Sequence, residues 1–424
     1  MLLTFLNEIN GQQMQLIAGH VIYRHGDRTP VETFPTDPVK PNEWPNGLGQ
    51  LTAAGIEQQH RLGGYLRTRY GSLLSPNYTA NEIVVRSTDA DRTLMSAQSN
   101  LVGLYPVLNM TNDKVPIQPI PIHTVSFNLD FLLSMNDCPR YDQIEEEVDQ
   151  SDEVKKVDEY YGAFFKKLEE WTNTTNITVY NAWNIADTIF VEHIYNKAPE
   201  WADEAVRKNL SDISDLAFHF LYENKDIKRI RGGSDNYKSM LYERNRFIYL
   251  GPLVQDIWLN MNSSVHGKGF PKVKMYSAHD TTVSPVLSFL GINYPHQPQY
   301  ASAIFIDLYR QDSAYFVKIE YLNVTDSNTS YAYLLDDCPA INCPFDKFTS
   351  IFQPRFPATA DIECAKKDPP MPPSTDSNKK LITVLVLVIV AVVIIIFVMF
   401  LCLHLRKTNR YPPLLEIDRT LQTA

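Results

Sequence analysis

Leu16-Ile17-Ala18-Gly19-His20-Val21-Ile22-Tyr23 runs directly into Arg24-His25-Gly26-Asp27-Arg28-Thr29-Pro30, and this junction decides the fold. An apolar, β-prone run that empties into a charged, glycine-containing turn reads as a buried strand of an α/β sheet. Two further junctions repeat the pattern. Ile83-Val84-Val85 leads into Arg86-Ser87-Thr88-Asp89-Ala90-Asp91-Arg92-Thr93-Leu94-Met95, and Val273-Lys274-Met275-Tyr276-Ser277-Ala278 leads into His279-Asp280-Thr281-Thr282. Each is a strand, a charged turn and the start of a helix, the local signature of a parallel α/β sheet. Ligands of such sheets bind beyond the carboxyl ends of the strands. Three strand ends therefore deliver His25 with Arg24 and Arg28, then Arg92, then His279 with Asp280, to one mouth.

The chemistry of that mouth follows from its charges. Close guanidiniums repel one another and depress the pKa of an imidazole held between them. A dianion relieves the repulsion, and phosphate fits the planar donor forks of arginine. A neutral imidazole in an arginine cage is a nucleophile aimed at phosphorus. A solvated Arg-His-Arg loop is the plainer reading of any one motif, and the convergence of three strand ends argues against it.

The motifs Arg24-His25-Gly26-Asp27-Arg28-Thr29-Pro30, Ser87-Thr88-Asp89-Ala90-Asp91-Arg92-Thr93-Leu94-Met95-Ser96-Ala97 and Tyr276-Ser277-Ala278-His279-Asp280-Thr281-Thr282-Val283 together resemble the histidine acid phosphatases, in the branch that holds the prostatic and lysosomal enzymes. Thr33-Phe34-Pro35-Thr36-Asp37-Pro38, Gly47-Leu48-Gly49-Gln50-Leu51-Thr52 and Gln118-Pro119-Ile120-Pro121-Ile122-His123-Thr124 extend the likeness, which covers about residues 14 to 365. The resemblance implies that His25 becomes phosphohistidine. It also implies that Arg24, Arg28, Arg92 and His279 hold the phosphate oxygens, that Asp280 protonates the leaving oxygen, and that water then hydrolyses the phosphoenzyme. Fixed arginine donors stabilise the charge that develops on the equatorial oxygens, so no metal is required. The expected activity is hydrolysis of small phosphomonoesters at acid pH, because Asp280 must carry a proton and an ordinary aspartate titrates near about 3.9. Phosphate bound nearby is expected to lift its apparent pKa above that value.

Other classes are excluded or disfavoured. With a net charge of −10 and no basic patch interleaved with aromatics, the chain offers no nucleic-acid surface. No metal-ligand spacing and no Gly-x-x-x-x-Gly-Lys loop occurs, so no cofactor is expected. The acidic balance, and a motif reading His-Asp rather than His-Ala-Glu, disfavour an inositol-polyphosphate substrate.

The expected architecture is a central, mostly parallel sheet flanked by helices, similar to phosphoglycerate mutase, with an inserted helical cap. The core is expected over 14–130 and 266–365 and the cap over 131–265. A Pro-rich stalk is expected over 366–380, a transmembrane helix over 381–403 and a cytoplasmic tail over 404–424. Thr52 is placed to cap a helix running through Ile56, Leu62, Gly63, Leu66 and Tyr70. Leu381 to Leu403 carries no charge and exceeds the roughly 20 residues that span a bilayer.

Lys379 and Lys380 before that stretch, against Arg406, Lys407 and Arg410 after it, orient it only slightly. Sequons at Asn77, Asn109, Asn173, Asn176, Asn209, Asn262, Asn323 and Asn328, with none in the tail, place the amino-terminal part in the lumen. Cys138, Cys338, Cys343 and Cys364 form an even set before the apolar stretch, as in an oxidising compartment, and Cys402 lies at its far edge. The family resemblance implies the pairs Cys138–Cys364 and Cys338–Cys343, with Val191 and Ala303 standing where a third bridge would be. Met1 to Leu6 is too short and lacks the basic start of a signal peptide, so a misassigned start or a missing upstream segment is expected, the alternative being entry by the carboxyl-terminal helix without glycosylation. Tyr411-Pro412-Pro413-Leu414 looks like a lysosomal sorting signal read by clathrin adaptors, and His123 is a candidate contact of a homodimer typical of this branch. The expected setting is a single-pass lysosomal or endosomal membrane protein with a lumenal catalytic domain. The competing readings are a narrower lipid or glycan phosphatase and a glycosylated ectodomain that has lost the chemistry.

Overall fold

The computed structural model describes residues 14–107, 117–134, 138–223, 253–269, 271–294, 296–323 and 329–356, together with a helix over 376–408 whose side chains are described over 387–403. The first strand, β1 (Gln15–Arg24), is buried from Ala18 onward on both faces. Its alternate side chains feed two layers, as the period of a strand dictates. Val21 and Tyr23 pack with Leu62 and Leu66 of α1 (Ala53–Tyr70) and with Leu101 and Leu104 of α2 (Asp91–Leu104). Ala18 and Ile22 pack on the other side with α7 (Leu253–Val265), α8 (Asp280–Phe289) and α9 (Phe345–Phe352).

The remaining strands are β2 (Ile83–Ser87), β3 (Ile122–His123), β4 (Val273–Ala278), β5 (Ala303–Gln311), β6 (Ala314–Leu322), β7 (Tyr331–Tyr333) and β8 (Cys343–Pro344). They form one sheet in the order β3-β2-β4-β1-β5-β6-β7, with β8 on β6. Pairings from β3 to β1 are parallel and those from β1 to β8 antiparallel. The sheet is thus mixed, where a mostly parallel one was expected. The cause is local. Asp312, at a φ of 53°, turns β5 back into β6 through two residues, a connection open only to antiparallel strands.

Register places the strand ends level. Tyr23 lies beside Ser277 and Ser277 beside Ser87, so the turns at residues 24, 88 and 278 leave the sheet along one edge. Because β5 is antiparallel and Ala303 pairs with Tyr23, the segment that enters β5 arrives at the same edge. Close backbone packing holds α1 and α2 there. A Cβ on Gly63 would lie 1.9 Å from the Asn100 carbonyl oxygen, and one on Gly103 2.1 Å from that of His60.

Four helices form a separate apolar cluster: α3 (Pro139–Asp149), α4 (Asp152–Thr172), α5 (Val179–Ile194) and α6 (Glu204–Tyr222), joined by Phe34. The α7 helix lies within the segment expected as cap, yet Leu253, Val254, Ile257 and Met261 pack into the sheet's core. Cys338 and Cys343 form a disulfide with Cα atoms 5.3 Å apart. Cys138 is disulfide-bonded, and its expected partner Cys364 lies outside the described residues. Val191 and Ala303 belong to different apolar clusters.

Residues 367–424 make up a second unit, with one helix described, α10 (Asp376–Thr408). Among the described residues no helix is long and apolar enough to cross a membrane, so the expected span over 381–403 lacks support here. In α10 the side chains from Leu387 to Leu403 are described, all of them exposed and none charged. The stalk, the tail with Tyr411–Leu414, and the sequons Asn109 and Asn328 lie outside the described residues. Asn77, Asn173 and Asn176 are exposed, while Asn209, Asn262 and Asn323 are half-buried.

Candidate active site

The turn after β1 is fixed through its backbone. The Gln59 amide donates to the Arg24 carbonyl at 2.8 Å, the Gly26 N–H to Ser96 Oγ at 3.1 Å and the Asp27 N–H to Gln58 Oε1 at 2.7 Å. Only glycines admit so close an approach to α1: a Cβ on Gly26 would stand 2.4 Å from the Gly55 carbonyl oxygen. Thr52 caps α1, accepting from the Gly55 N–H at 3.1 Å, and its hydroxyl donates to Asp27.

His25 sits at the centre, 2% exposed. Its Nδ1 lies 2.8 Å from the Gly26 carbonyl oxygen. A carbonyl only accepts, so Nδ1 carries the hydrogen and Nε2 keeps its lone pair. Burial, then Arg92, Arg24, His279 and Arg28, hold the ring's pKa well below the usual histidine range. Both effects favour the neutral ring, with the lone pair on Nε2.

The three arginines are held differently. Arg24 meets Asp280 Oδ2 at 2.8 Å, donates to the Pro298 carbonyl, and lies 4.3 Å over the Tyr300 ring. Arg28 forms a two-pronged pair with Asp187 of α5 at 2.8 and 2.9 Å. Burial alone would lower its pKa, and the Asp187 carboxylate, with Tyr300 and Asp280, more than reverses this. Arg92 approaches His279 Nδ1 at 3.4 Å, and burial beside Arg28 and Arg24, partly offset by Asp280, lowers its pKa to about 10. The Nε–H donors of all three are buried with no hydrogen-bond partner among the described residues. Unmatched buried donors are costly, and an oxyanion is the group that answers three at once.

His279 donates through Nε2 to Thr88 Oγ1 at 2.9 Å, and so turns Nδ1 toward Arg92. Its ring centroid lies 5.5 Å from that of His25. Burial and then Arg92 keep it well below the usual histidine range, against the pull of Asp280. Asp280 accepts from Gln297 Nε2 at 2.6 Å and from the Thr281 N–H at 2.7 Å. Burial raises its pKa, but Arg24, Arg28, Gln297 and His279 outweigh burial and hold the carboxyl below the ordinary aspartate value. The value above the ordinary one, expected with phosphate bound, is thus not the state described here, in which Arg24 bonds the carboxylate directly.

The fold brings all six residues singled out in the sequence to one place. Sequence reading missed Asp187, Thr88, Gln297 and Tyr300. Asp187 carried a signal, as a lone carboxylate on an apolar stretch of helix between Ile185 and Ile189. Gln297 and Tyr300 carried none, because their place depends on the antiparallel β5. His60 and His219 are exposed and outside the site.

A buried histidine, three guanidiniums and a carboxyl stand together here, and the chain belongs to the histidine phosphatase superfamily, branch 2, whose family model matches residues 15–321. Among individual proteins it is similar to mouse (Mus musculus) prostatic acid phosphatase, at 36% identity over 84% of this chain and 90% of that protein. It is also similar to human (Homo sapiens) lysosomal acid phosphatase, at 35% identity over 81% of this chain and 79% of that one. Of solved structures, a Hafnia alvei phytase in complex with tartrate superimposes with a TM-score of 0.59 at 15% identity, covering 84% of this chain and 100% of that chain. That last likeness is one of fold alone.

Proposed function

We propose that this chain is an acid phosphomonoesterase that works through a covalent phosphohistidine on His25. The observation that carries the reading is the Nδ1–H bond from His25 to the Gly26 carbonyl, which leaves a basic Nε2 inside an arginine cage. In the proposed reaction Nε2 attacks phosphorus and the bond to the leaving oxygen breaks. The electron pair goes to that oxygen, which takes the Asp280 proton. Arg24, Arg28 and Arg92 hold the phosphoryl oxygens, and His279 joins them once the dianion brings a proton to its Nδ1. Water then attacks phosphorus, the P–N bond breaks with its electron pair returning to Nε2, the released phosphate keeps the proton of the water, and Asp280 regains its own proton from solvent. The relatives named prostatic and lysosomal acid phosphatase support the substrate class.

The acid working range follows from Asp280. Its proton is bound only at low pH, so hydrolysis of esters with poor leaving groups falls as pH rises. The test is hydrolysis of an aryl and an alkyl phosphate by the full chain from pH 3.5 to 8, beside His25→Ala and Asp280→Asn. Loss of both activities in His25→Ala, with Asp280→Asn failing mainly on the alkyl ester, is expected. A flat profile, or an active His25→Ala, contradicts the reading.

The proposed setting is a lysosomal or endosomal lumen. The uncharged sequence from Leu381 to Leu403 is proposed as its single-pass anchor, and Tyr411-Pro412-Pro413-Leu414 as an adaptor-read sorting signal. Its support is the apolar sequence, the sequon distribution and the likeness to lysosomal acid phosphatase. A homodimer through the face that carries His123, exposed on β3, is part of the same proposal. Alkaline carbonate extraction of membranes, which releases proteins that are not integral, tests the anchor.

A further inference from the structure

The short segment before β5 does more for the site than lead into a strand. Pro298 offers its carbonyl to Arg24, the Tyr300 ring lies under that guanidinium, and the Ala301 N–H donates to the His25 carbonyl at 3.1 Å. Gln297 joins the same segment to Asp280. Its Nε2 donates to Oδ2, the oxygen that also takes Arg24. Its Oε1 accepts from Ser214 Oγ at 3.4 Å, and its backbone N–H donates to Asp215 Oδ1 at 3.0 Å. The other Asp215 oxygen binds His296 Nδ1 at 2.7 Å. Ser214 and Asp215 belong to α6, so the cap reaches the carboxyl through one amide side chain.

We propose that Gln297 is a positioning residue for Asp280, held by Ser214 and Asp215 of the cap, and that it decides which carboxyl oxygen delivers the proton. The argument rests on Asp280 being the general acid, as read above. Arg24 and Gln297 both donate to Oδ2, so both neighbours of that oxygen are hydrogen-bearing and a proton there would face them. Oδ1 accepts from the Thr281 N–H, and its second lone pair can carry a hydrogen toward the leaving oxygen. The amide of Gln297 cannot turn over, since that would set its Oε1 against the carboxylate oxygen, two acceptors with no hydrogen between them. The charged and titratable groups facing Asp280 are Arg24 and Arg28 from the β1 turn, Arg92 from α2, and the adjoining His279. Each cation holds the carboxylate in its ionised form, and so does the Gln297 donor. Removing that donor therefore lets Asp280 keep its proton to higher pH while the carboxyl loses its aim.

The test uses the full chain and two substrates, an aryl phosphate and an alkyl phosphate, with kcat and KM followed from pH 3.5 to 8. Gln297→Leu is expected to lower kcat on the alkyl ester by about tenfold to a hundredfold, the scale of a misaligned proton donor, with KM little changed. The basic limb of its kcat profile should move to higher pH. The aryl ester, which needs no proton, should be nearly unaffected. Asp215→Ala should give the same pattern more weakly, and Gln297→Asn should recover part of the loss, both with an unchanged thermal midpoint. In the Asp280→Asn background, Gln297→Leu should add nothing. An equal fall on both esters with an unmoved limb overturns the proposal, as does full additivity with Asp280→Asn. If Asp280→Asn itself hydrolyses the alkyl ester normally, the reading of Asp280 fails. If only Gln297→Leu does so, the inference about Gln297 fails alone.

Discussion

At the scale of single residues, the site is an argument about which protons stay where. His25 needs a hydrogen on Nδ1 and none on Nε2, and the Gly26 carbonyl enforces this. His279 is set by Arg92, whose guanidinium can only donate to Nδ1, so that Nε2 carries the hydrogen and donates to Thr88. Thr88→Val removes the acceptor of its Nε2–H, freeing the ring to flip or change tautomer. A loss of about tenfold to a hundredfold in kcat/KM is expected, read by steady-state kinetics. Arg28 depends on Asp187, with both side chains 5–6% exposed. Breaking a buried pair from one side costs about 3–5 kcal/mol, so Asp187→Ala should lower denaturant stability by that order. His25, the three arginines, His279 and Asp280 were legible in the sequence because charge at a strand end is conspicuous. Gln297 was not legible, because a neutral amide shows its role only when its partners are in place.

At the scale of elements, the sheet positions the site by ending three parallel strands on one level. That much could be read from the apolar runs at Leu16, Ile83 and Val273, and the strand Val273–Ala278 has the bounds that its pattern implies. The antiparallel half was not legible, since β5 and β6 are apolar runs whose partners depend on a two-residue turn at Asp312. The helix α7 was placed in the cap for a similar reason, because periodicity reveals a helix without revealing which layer it covers. The contact of α1 with α2 rests on glycine. Gly63→Ala drives a methyl against the Asn100 carbonyl, and such overpacking costs about 1–3 kcal/mol. Gly26→Ala displaces the His25 turn from α1, so it should lose activity as well as stability. Chemical denaturation of both variants, with activity measured beside it, separates the two cases.

At the scale of the whole molecule, one buried pair couples pH to stability. Asp37, in the loop after the His25 turn, and Glu192 on α5 are both buried, and Asp37 Oδ2 and both Glu192 oxygens find no hydrogen-bond partner among the described residues. Burial first, and then Asp37, push Glu192 up to about 8, with Lys197 opposing. A carboxyl whose folded pKa lies above its unfolded one near about 4.5 stabilises the fold at acid pH. That contribution is lost as pH rises toward 8. The thermal midpoint should therefore fall between pH 5 and 8, and Glu192→Gln should flatten the fall. An unchanged slope in that variant assigns the pH dependence elsewhere. Protein, loop and cap would then be most stable where the proposed chemistry runs. The central claim is a covalent bond from His25 Nε2 to phosphorus, and one measurement meets it directly. The full chain is mixed with an aryl phosphate, quenched in alkali, where phosphohistidine survives, and digested for mass spectrometry. The account predicts phosphate on the peptide that carries His25, absent from His25→Ala and still formed from the aryl ester in Asp280→Asn. Rapid turnover with no phosphate on that peptide, or with phosphate on another residue, would contradict it.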